Sequence, residues 1–208
     1  MNKLLKISKI NLSYNTDNNL IKVLQDVSLE VDHKDTVSIV GESGSGKTSL
    51  IMLIGGLEKA TSGKIQFKEF EISNLNEDQI SEIRRKNIGI VFQSFYLIPN
   101  YTALENVSLT LEINRISNPE QKAKDMLSRF GLSQRLNNLP SQLSGGEQQR
   151  VAIARSIVMK PQLILADEPT GNLDSENSNL ISKILFDYVN EEQASLIVVT
   201  HDNNLANQ

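Results

Sequence analysis

The sequence predicts an α/β fold with a mainly parallel sheet, an N-terminal antiparallel β subdomain and a helical insert. Four short apolar runs have helical patterns between them, as expected of strands that are buried on both faces of a parallel sheet. Residues 3–35 instead alternate polar and apolar side chains around the polar stretch 15–19, which is typical of antiparallel strands. The four apolar runs are residues 37–40, 88–92, 163–166 and 196–199.

The helical insert is predicted from about residue 97 to residue 142 by its helix start and stop signals. Thr102, with a glutamate three positions later, begins a capping-box pattern, which marks a helix start. Asn118 followed by Pro119 is typical of an N-cap and a first helical position, and Gly131 is typical of a helix end. The insert is therefore expected to contain at least two helices.

The composition restricts the partners that the protein can have. Residues 1–208 contain no repeat and no interdomain linker, so they are expected to form a single domain. The 25 acidic and 21 basic residues give a net charge of −4, which argues against a nucleic-acid partner, and the basic cluster 84–86 fits a solvated helix face. The absence of cysteine excludes a disulfide framework, a thiol nucleophile and a cysteine metal site, and it fits a reducing compartment.

The sequence does not predict direct insertion into a membrane. Residues 1–6 alternate polar and apolar side chains and lack the continuous apolar region of a signal peptide. No apolar run approaches the roughly 18–20 residues that a membrane-spanning helix needs. Any membrane contact is therefore expected to be indirect, through a partner.

A glycine-rich loop at residues 41–48 predicts a nucleotide-binding site. It matches the pattern G-x-x-x-x-G-K-[ST], with a predicted strand before it and the apolar helix 49–57 after it. Glycines let the backbone N–H groups turn inward, and the helix N-terminus adds positive potential, so the loop suits phosphate. Lys47 is expected to reach the β- and γ-phosphates, and the Thr48 hydroxyl to ligate Mg²⁺. The predicted binding residues here are Gly41, Glu42, Ser43, Gly44, Ser45, Gly46, Lys47, Thr48 and Ser49.

Two acids follow the apolar run 163–166, and polar residues follow other runs. Asp167 is placed to hold Mg²⁺ directly or through water, whereas Glu168 faces another direction and could polarise an attacking water. Acids at a strand end are often only loop residues, and a lone histidine there is often structural. Because ligands bind outside the carboxyl ends of strands in open α/β sheets, Gln93 and His201 are expected to share this edge with the two acids.

The octapeptide at residues 143–150, Leu-Ser-Gly-Gly-Glu-Gln-Gln-Arg, predicts a second anion site. Ser144 and Glu147 form a capping-box pattern, which by itself marks only the start of a helix. A cap does not require two glycines, however, and glycine at positions 145 and 146 lets an anion approach the backbone. Since one phosphate loop is already present, this second site needs another nucleotide or the nucleotide of another chain.

These motifs resemble those of ABC transporter nucleotide-binding subunits, and the resemblance extends over essentially the whole chain. Within this family, the chain looks most like the lipoprotein-releasing and macrolide- or peptide-export branch. The resemblance implies a P-loop NTPase core of the ABC ATPase type that binds ATP and Mg²⁺ and hydrolyses ATP. The stretches that carry the resemblance to this branch are residues 55–63, 98–107 and 166–174.

The resemblance also implies roles for single residues. Tyr14 matches the aromatic residue that stacks on adenine, although an ordinary tyrosine at a strand end is the alternative. Gln93 matches the glutamine that senses Mg²⁺ and water and signals to the membrane subunit, and His201 matches the γ-phosphate switch. The implied catalytic residues are Lys47, Gln93, Glu168 and His201. The implied Mg²⁺ ligands are Thr48, Gln93 and Asp167.

Three further residues are implied to act between two copies of the chain. Ser144 and Gly146 match the residues that contact the γ-phosphate held by the partner. Asp174 matches the loop that crosses between the copies, and the alternative is an N-cap of the following helix. The implied assembly is a head-to-tail dimer around two ATP molecules. It would work on an integral membrane permease, and hence lie peripherally on the cytoplasmic face of the membrane.

Two departures from the family pattern and two rival functions accompany this hypothesis. The fifth signature position is Glu147, where glutamine is commoner, and the chain ends at Gln208, soon after His201, whereas related subunits usually continue. One rival is a non-transport ABC ATPase that regulates a membrane partner, of the cell-division type. The other rival is a nucleotide-binding protein without turnover.

Overall fold

The computed structural model describes residues 3–16 and 19–206. In these ranges the strands are β1 (Leu5–Thr16), β2 (Asn19–Val31), β3 (Thr36–Val40), β4 (Ser62–Phe67), β5 (Phe70–Glu71), β6 (Ile88–Val91), β7 (Leu163–Asp167) and β8 (Ser195–Thr200). The α-helices are α1 (Lys47–Ile54), α2 (Glu77–Asn87), α3 (Ala103–Ile113), α4 (Pro119–Arg129), α5 (Gly145–Ile157), α6 (Ser175–Glu192) and α7 (Asn203–Ala206). Among the described residues, no helix has the length and apolar character needed to cross a membrane.

The parallel sheet has the strand order β3-β8-β7-β6, and every neighbouring pair in it is parallel. All residues of β7 and β8 are buried. β3 lies at the edge of the sheet, and Val40 at its carboxyl end is 51% exposed. The expectation that all four apolar runs are buried on both faces is therefore right for the two central strands and wrong for β3, because the packing layers cover this edge strand incompletely.

The second sheet is antiparallel and has the strand order β2-β1-β4-β5. β1 pairs with β2 along nearly its whole length, which agrees with the antiparallel strands predicted in residues 3–35. The β4–β5 hairpin is not predicted by the sequence pattern. Only Ile65 and Phe67 of β4 are buried, and two apolar positions are too few to define a strand period.

The parallel sheet lies between two hydrophobic cores. Ile164 and Ala166 of β7 belong to the core formed with α3 to α6, whereas Leu163 and Leu165 belong to the core shared with the antiparallel sheet, α1 and α2. β8 alternates in the same way. This alternation follows from the two-residue period of a strand, and it means that both faces of the sheet are covered.

Helices α3 and α4 lie in the region where the insert is predicted. The capping box of α3 is present, since the Thr102 side chain accepts a hydrogen bond from the Glu105 backbone N–H and the Glu105 side chain accepts one from Thr102. Asn118 is the N-cap of α4, but its backbone is left-handed, with φ of 54°, and its side chain makes no capping hydrogen bond. Gly131, with φ of 72°, follows the end of α4.

Candidate nucleotide-binding site

The phosphate loop lies between β3 and α1, and its backbone requires glycine at two positions. Gly44 and Gly46 have φ angles of 81° and 89°, a region that residues with a side chain rarely adopt. A Cβ atom on Gly46 would also come within 2.9 Å of the Leu24 side chain, so the loop packs closely against β2. Lys47 Nζ donates to two carbonyl oxygens of the loop, each at 2.8 Å, and so lies along the loop.

A cavity of about 530 Å³ lies at the carboxyl ends of the parallel strands. It joins residues that are far apart in the sequence but follow β3, β6, β7 and β8. The structure therefore brings the phosphate loop together with all four polar residues that were expected at this edge. The lining residues are Val23, Glu42, Ser43, Gly44, Gly46, Lys47, Thr48, Ser49, Gln93, Asp167, Glu168 and His201.

Asp167, at the end of β7, provides a buried carboxylate that suits a divalent cation. Its exposed fraction is 6%, and burial raises the pKa of its carboxyl, whereas a hydrogen bond from Thr48 and the positive charge of Lys47 act in the opposite direction. Asp167 Oδ1 is buried and makes no hydrogen bond to the described residues. Carboxylate and hydroxyl oxygens are ligands that Mg²⁺ prefers, so Asp167 and Thr48 fit this ion.

Glu168 is held by the end of β8. Its backbone N–H donates to Val199 O at 2.8 Å, and its φ of 47° is uncommon for a residue other than glycine. The Thr200 hydroxyl donates to Glu168 Oε2 at 3.2 Å, and His201 Nδ1 lies 2.9 Å from Glu168 Oε1. The His201 side chain is 67% exposed and that of Glu168 only 13%, so His201 forms the outer part of this pair. The Glu168 carboxylate thus follows Asp167 in the chain, but its orientation is set by Thr200 and His201.

The signature octapeptide begins α5 and lies outside the lining of the cavity. Ser144 is the N-cap, and its hydroxyl accepts a hydrogen bond from Glu147 N at 3.3 Å, while Glu147 Oε2 accepts one from Ser144 N at 2.8 Å. Arg135 Nε donates to Glu147 Oε1 at 2.7 Å. This hydrogen bond and the one from Ser144 lower the pKa of the Glu147 carboxyl. Ser144 and Glu147 therefore form the capping box that their spacing predicts at the start of α5.

Gly146 has a structural reason to be glycine that differs from the expected one. It is buried, and a Cβ atom there would clash with the side-chain amide of Asn177 in the first turn of α6. Gly145 is exposed instead, and a Cβ on it would make only ordinary contacts with Leu173 and Phe95. The requirement for glycine at position 146 thus arises within one chain, and its proposed contact with a second copy remains a prediction.

Four further predicted residues lie outside the cavity lining, namely Gly41 and Ser45 of the phosphate loop, Tyr14 and Asp174. Tyr14 is 41% exposed, and its hydroxyl donates to Glu58 Oε2 at 2.9 Å, which raises the pKa of the tyrosine. Asp174 is the N-cap of α6, where Oδ1 accepts a hydrogen bond from Asn177 N at 2.9 Å and Oδ2 accepts one from Asn177 Nδ2 at 2.7 Å. Asp174 therefore performs the capping role that was its alternative.

Sequence reasoning misses Gln149, a buried residue of the signature helix. The buried residues of α5 include Gly146, Ile153 and Ile157, and Gln149 lies on the same face at helical spacing. A glutamine on an apolar helix face is the signal that could have identified it. Its side chain donates hydrogen bonds to backbone next to two predicted catalytic residues.

Comparison with known proteins assigns the chain to a family. The family model described as ABC transporter matches residues 24–171, a range that contains the phosphate loop, the signature helix and the two acids at the end of β7. The chain belongs to the ABC transporter family, and the resemblance inferred from the sequence motifs is confirmed.

Individual relatives are similar to the chain over most of its length. The lipoprotein-releasing system ATP-binding protein LolD of Idiomarina loihiensis is 43% identical over 207 residues, which cover 99% of this chain and 91% of that protein. LolD of Treponema denticola is 42% identical over 202 residues, with coverage of 96% and 89%. The uncharacterized ABC transporter ATP-binding protein YbbA of Escherichia coli K12 is 44% identical over 188 residues, with coverage of 89% and 82%. Sequence identity alone does not separate these relatives.

Two solved structures have the same fold. A dimeric structure of MJ0796, described as a bacterial ABC transporter cassette, has a TM-score of 0.92 and 40% identity, and the match covers 98% of this chain and 90% of that one. A dimer of the ATP-binding cassette MJ0796 in a post-hydrolysis state, bound to ADP and Pi, has a TM-score of 0.90 and 39% identity, with coverage of 97% and 90%. The predicted P-loop NTPase fold of the ABC ATPase type is confirmed.

Proposed function

We propose that this chain is the ATP-binding and ATP-hydrolysing subunit of a membrane ABC transporter that releases lipoproteins. The observation that carries the proposal is the cavity at the sheet edge, where Lys47, Thr48, Asp167 and Glu168 line one space. Similarity to the LolD proteins over nearly the whole chain supports the choice of lipoprotein release.

ATP is expected to bind with its phosphates against the loop. The backbone N–H groups of the loop and the N-terminus of α1 provide positive potential, and no acidic residue lies in the first turn of α1 to oppose it. Lys47 lines the cavity, so its ammonium group can exchange the loop carbonyls for the β- and γ-phosphates. Tyr14, which is 41% exposed near the end of β1, is proposed to stack on the adenine.

Three oxygen-bearing side chains of the cavity would hold Mg²⁺. They are Thr48, Asp167 and Gln93, and the buried oxygen of Asp167 supports this assignment most directly. When bound, the ion would supply neutralisation of the negative charge on the β- and γ-phosphate oxygens. The chain itself contributes the orientation, because Thr48 and Asp167 line the same cavity and Asp167 is held at the end of the buried strand β7.

Hydrolysis is proposed to depend on Glu168. The water oxygen forms a bond to the γ-phosphorus while the bond from this phosphorus to the bridging oxygen of ADP breaks. Glu168 accepts a hydrogen bond from the water and takes the proton that the water loses as the new bond to phosphorus forms. His201, which lies 2.9 Å from Glu168, contacts the γ-phosphate on the exposed side of the cavity. Lys47 stabilises the negative charge that develops on the β-phosphate of the departing ADP.

The site is proposed to be completed by a second copy arranged head to tail. Ser144 and the exposed Gly145 start a helix whose N-terminus lies outside the chain's own cavity, so its free N–H groups suit an anion held elsewhere. The dimeric state of the MJ0796 structures supports such an assembly. Hydrolysis would remove the anion that bridges the copies and so favour reopening of the dimer.

The change in the dimer is proposed to reach an integral membrane permease through the helical insert. Three large side chains on or beside the insert are exposed, namely Tyr96 (67%), Tyr101 (38%) and Ile113 (59%), which is the type of surface that a protein partner covers. The chain would then lie peripherally on the cytoplasmic face of the membrane. Its contact with the membrane would be indirect.

Ser144→Arg tests the proposed dimer. The large cation should block the approach of the second copy, so we expect loss of ATP hydrolysis with ATP binding by the single chain retained. Ser133→Arg, in the exposed loop after α4, is the matched control and should retain hydrolysis. A joint loss of nucleotide affinity and activity in Ser144→Arg would instead place Ser144 in the site of its own chain.

The cargo is tested by reconstitution. The tagged chain would be co-purified with the membrane permease that binds it and placed in proteoliposomes that carry a fluorescent lipoprotein. We expect ATP-dependent release of the lipoprotein, and no release with Glu168→Gln. Transport of a macrolide or peptide without lipoprotein release would contradict the proposed cargo. A stable complex that hydrolyses ATP but moves no cargo would favour the regulatory rival.

A further inference from the structure

Gln149 lies in the interior between the signature helix and two backbone segments that carry predicted catalytic residues. It is 1% exposed. Its side-chain Nε2 donates to Pro169 O at 2.7 Å and to Phe92 O at 3.3 Å. Phe92 directly precedes Gln93, and Pro169 directly follows Glu168. One side-chain amide therefore joins the loop that carries Gln93 to the loop that carries Glu168.

The orientation of this amide follows from its neighbours. Both groups within hydrogen-bonding distance of Nε2 are carbonyl oxygens, which can only accept, so the reversed amide would place oxygen against oxygen. Oε1 makes no hydrogen bond to the described residues, so Gln149 acts towards them as a donor only. Apolar side chains fill most interior positions, so a residue needed only for packing would not require hydrogen-bond donors.

Gln149 joins the two loops where the sheet no longer does. The parallel pairing of β6 with β7 ends at Val91 opposite Ala166. Immediately beyond this point the two strands lead to Gln93 and Glu168. These are the residues proposed to contact the attacking water and the γ-phosphate. The hydrogen bonds from Gln149 thus replace the backbone ladder at the place where the predicted chemistry begins.

We propose that Gln149 is a positioning residue for ATP hydrolysis, which fixes the backbone of Phe92 and Pro169 and thereby places Gln93 and Glu168 in the cavity. The proposal rests on the function proposed above. Gln149 belongs to α5, the helix whose N-cap is Ser144. Contact of this helix with the nucleotide of a second copy would therefore also affect the positions of Gln93 and Glu168 in the same chain. The signature helix and the water-orienting carboxylate are thus connected inside one chain.

The first test is Gln149→Met, which keeps a long unbranched side chain and removes the donors. A misplacement of about 1 Å near reacting groups can cost on the order of 10²-fold in rate, so we expect kcat to fall about 10- to 100-fold. The affinity for a fluorescent ATP analogue should not change, because the phosphate loop is not touched by Gln149. In the Glu168→Gln background, ATP-dependent dimers should still form with Gln149→Met.

A second variant and a control separate positioning from loss of stability. Gln149→Glu keeps the shape but can donate only when protonated, so its kcat relative to the unmodified chain should rise as the pH falls, whereas that of Gln149→Met should not. Asn106 is the control, since it is 0% exposed and donates to the backbone carbonyls of Ile98, Tyr101 and Thr102 in the insert. Asn106→Leu should lower the unfolding midpoint but leave kcat of the folded protein unchanged.

The results of these experiments distinguish failure of the positioning role of Gln149 from failure of the proposed ATPase function. Unchanged kcat in Gln149→Met, or an equal loss of kcat in Asn106→Leu, would overturn the positioning role while leaving the ATPase function in place. The absence of ATP hydrolysis by the unmodified chain with its permease would instead overturn the proposed function. A fall in kcat with unchanged ATP affinity, confined to the Gln149 variants, would support the proposal.

Discussion

Gln93 and Asn172 hold each other through two hydrogen bonds. Gln93 Nε2 donates to Asn172 Oδ1 at 3.2 Å, and Asn172 Nδ2 donates to Gln93 O at 3.3 Å. Gly171 permits this approach, because a Cβ atom there would lie 2.8 Å from Gln93 Nε2. The position of the Gln93 amide is therefore set by the segment between Glu168 and α6.

Asn172→Ala should lower kcat by releasing the Gln93 amide. Each hydrogen bond contributes about 0.5–1.5 kcal/mol, so we expect a fall of about 3- to 10-fold. ATP affinity should be unaffected, since Asn172 does not line the cavity. Asn172→Asp keeps the acceptor for Gln93 Nε2 and should give an intermediate kcat. An unchanged kcat in steady-state ATPase measurements on Asn172→Ala would show that the pair does not control Gln93.

Glu168→Gln should bind ATP, hydrolyse it slowly and accumulate as a dimer. Loss of the carboxylate removes the group that orients the water, and single-group deletions of this kind cost about 10²–10³ in rate. Size-exclusion chromatography with and without ATP measures the dimer. Glu120→Gln, an exposed change in the first turn of α4, is the control and should resemble the unmodified chain. A Glu168→Gln variant that stays monomeric and fully active would refute the assignment.

Gly146→Ala should destabilise the protein, although alanine is the better helix former. Helix propensity would favour alanine by about 1 kcal/mol, whereas overpacking costs about 1–3 kcal/mol, so the clash with Asn177 is expected to dominate. In an Asn177→Ala background the same change should cost less, which urea unfolding of the four variants in a double-mutant cycle would measure. Equal costs in both backgrounds would mean that Asn177 is not the obstacle.

Glu147→Gln should reduce stability in a pH-dependent way. The pKa of Glu147 is lowered in the folded protein, chiefly by Arg135, so its ionised form stabilises the fold above the ordinary value of 4.5, and this contribution is lost as the pH falls through the lowered pKa. Glutamine keeps the capping hydrogen bond but not the charge. The unfolding midpoints of the two proteins should thus differ near neutral pH and converge in acid. A difference that stays constant down to low pH would contradict this role.

The regular parts of the fold could be predicted because their signals are local. Apolar runs of four or five residues identify the strands of the parallel sheet, and the Thr102 capping box identifies the start of α3. The β4–β5 hairpin lacks such a signal, since its exposed residues outnumber its two buried ones in β4. The exposure of Val40 depends on strand order, which a strand's own sequence does not contain.

The cavity residues could be predicted because sheet topology brings strand ends together. Gln93, Asp167, Glu168 and His201 all line one cavity, as expected because ligands bind outside the carboxyl ends of the strands in open α/β sheets. Gln149 could not be assigned in this way, because its partners are backbone carbonyls in two distant loops. The contact of Gly146 with Asn177 of α6 could not be predicted either, because it depends on how α5 and α6 pack together.

The division of β7 and β8 side chains between two cores bears on how sequences of this kind can diverge. Leu165 and Ala166 are neighbours in the chain, yet each packs with a different layer of the molecule. A substitution at Ala166 therefore changes packing against α3 to α6, whereas one at Leu165 changes packing against the antiparallel sheet and α1. The insert helices α3 and α4 and the helix α1 that follows the phosphate loop thus rest on opposite faces of the sheet, so the insert can be repacked without direct contact with α1.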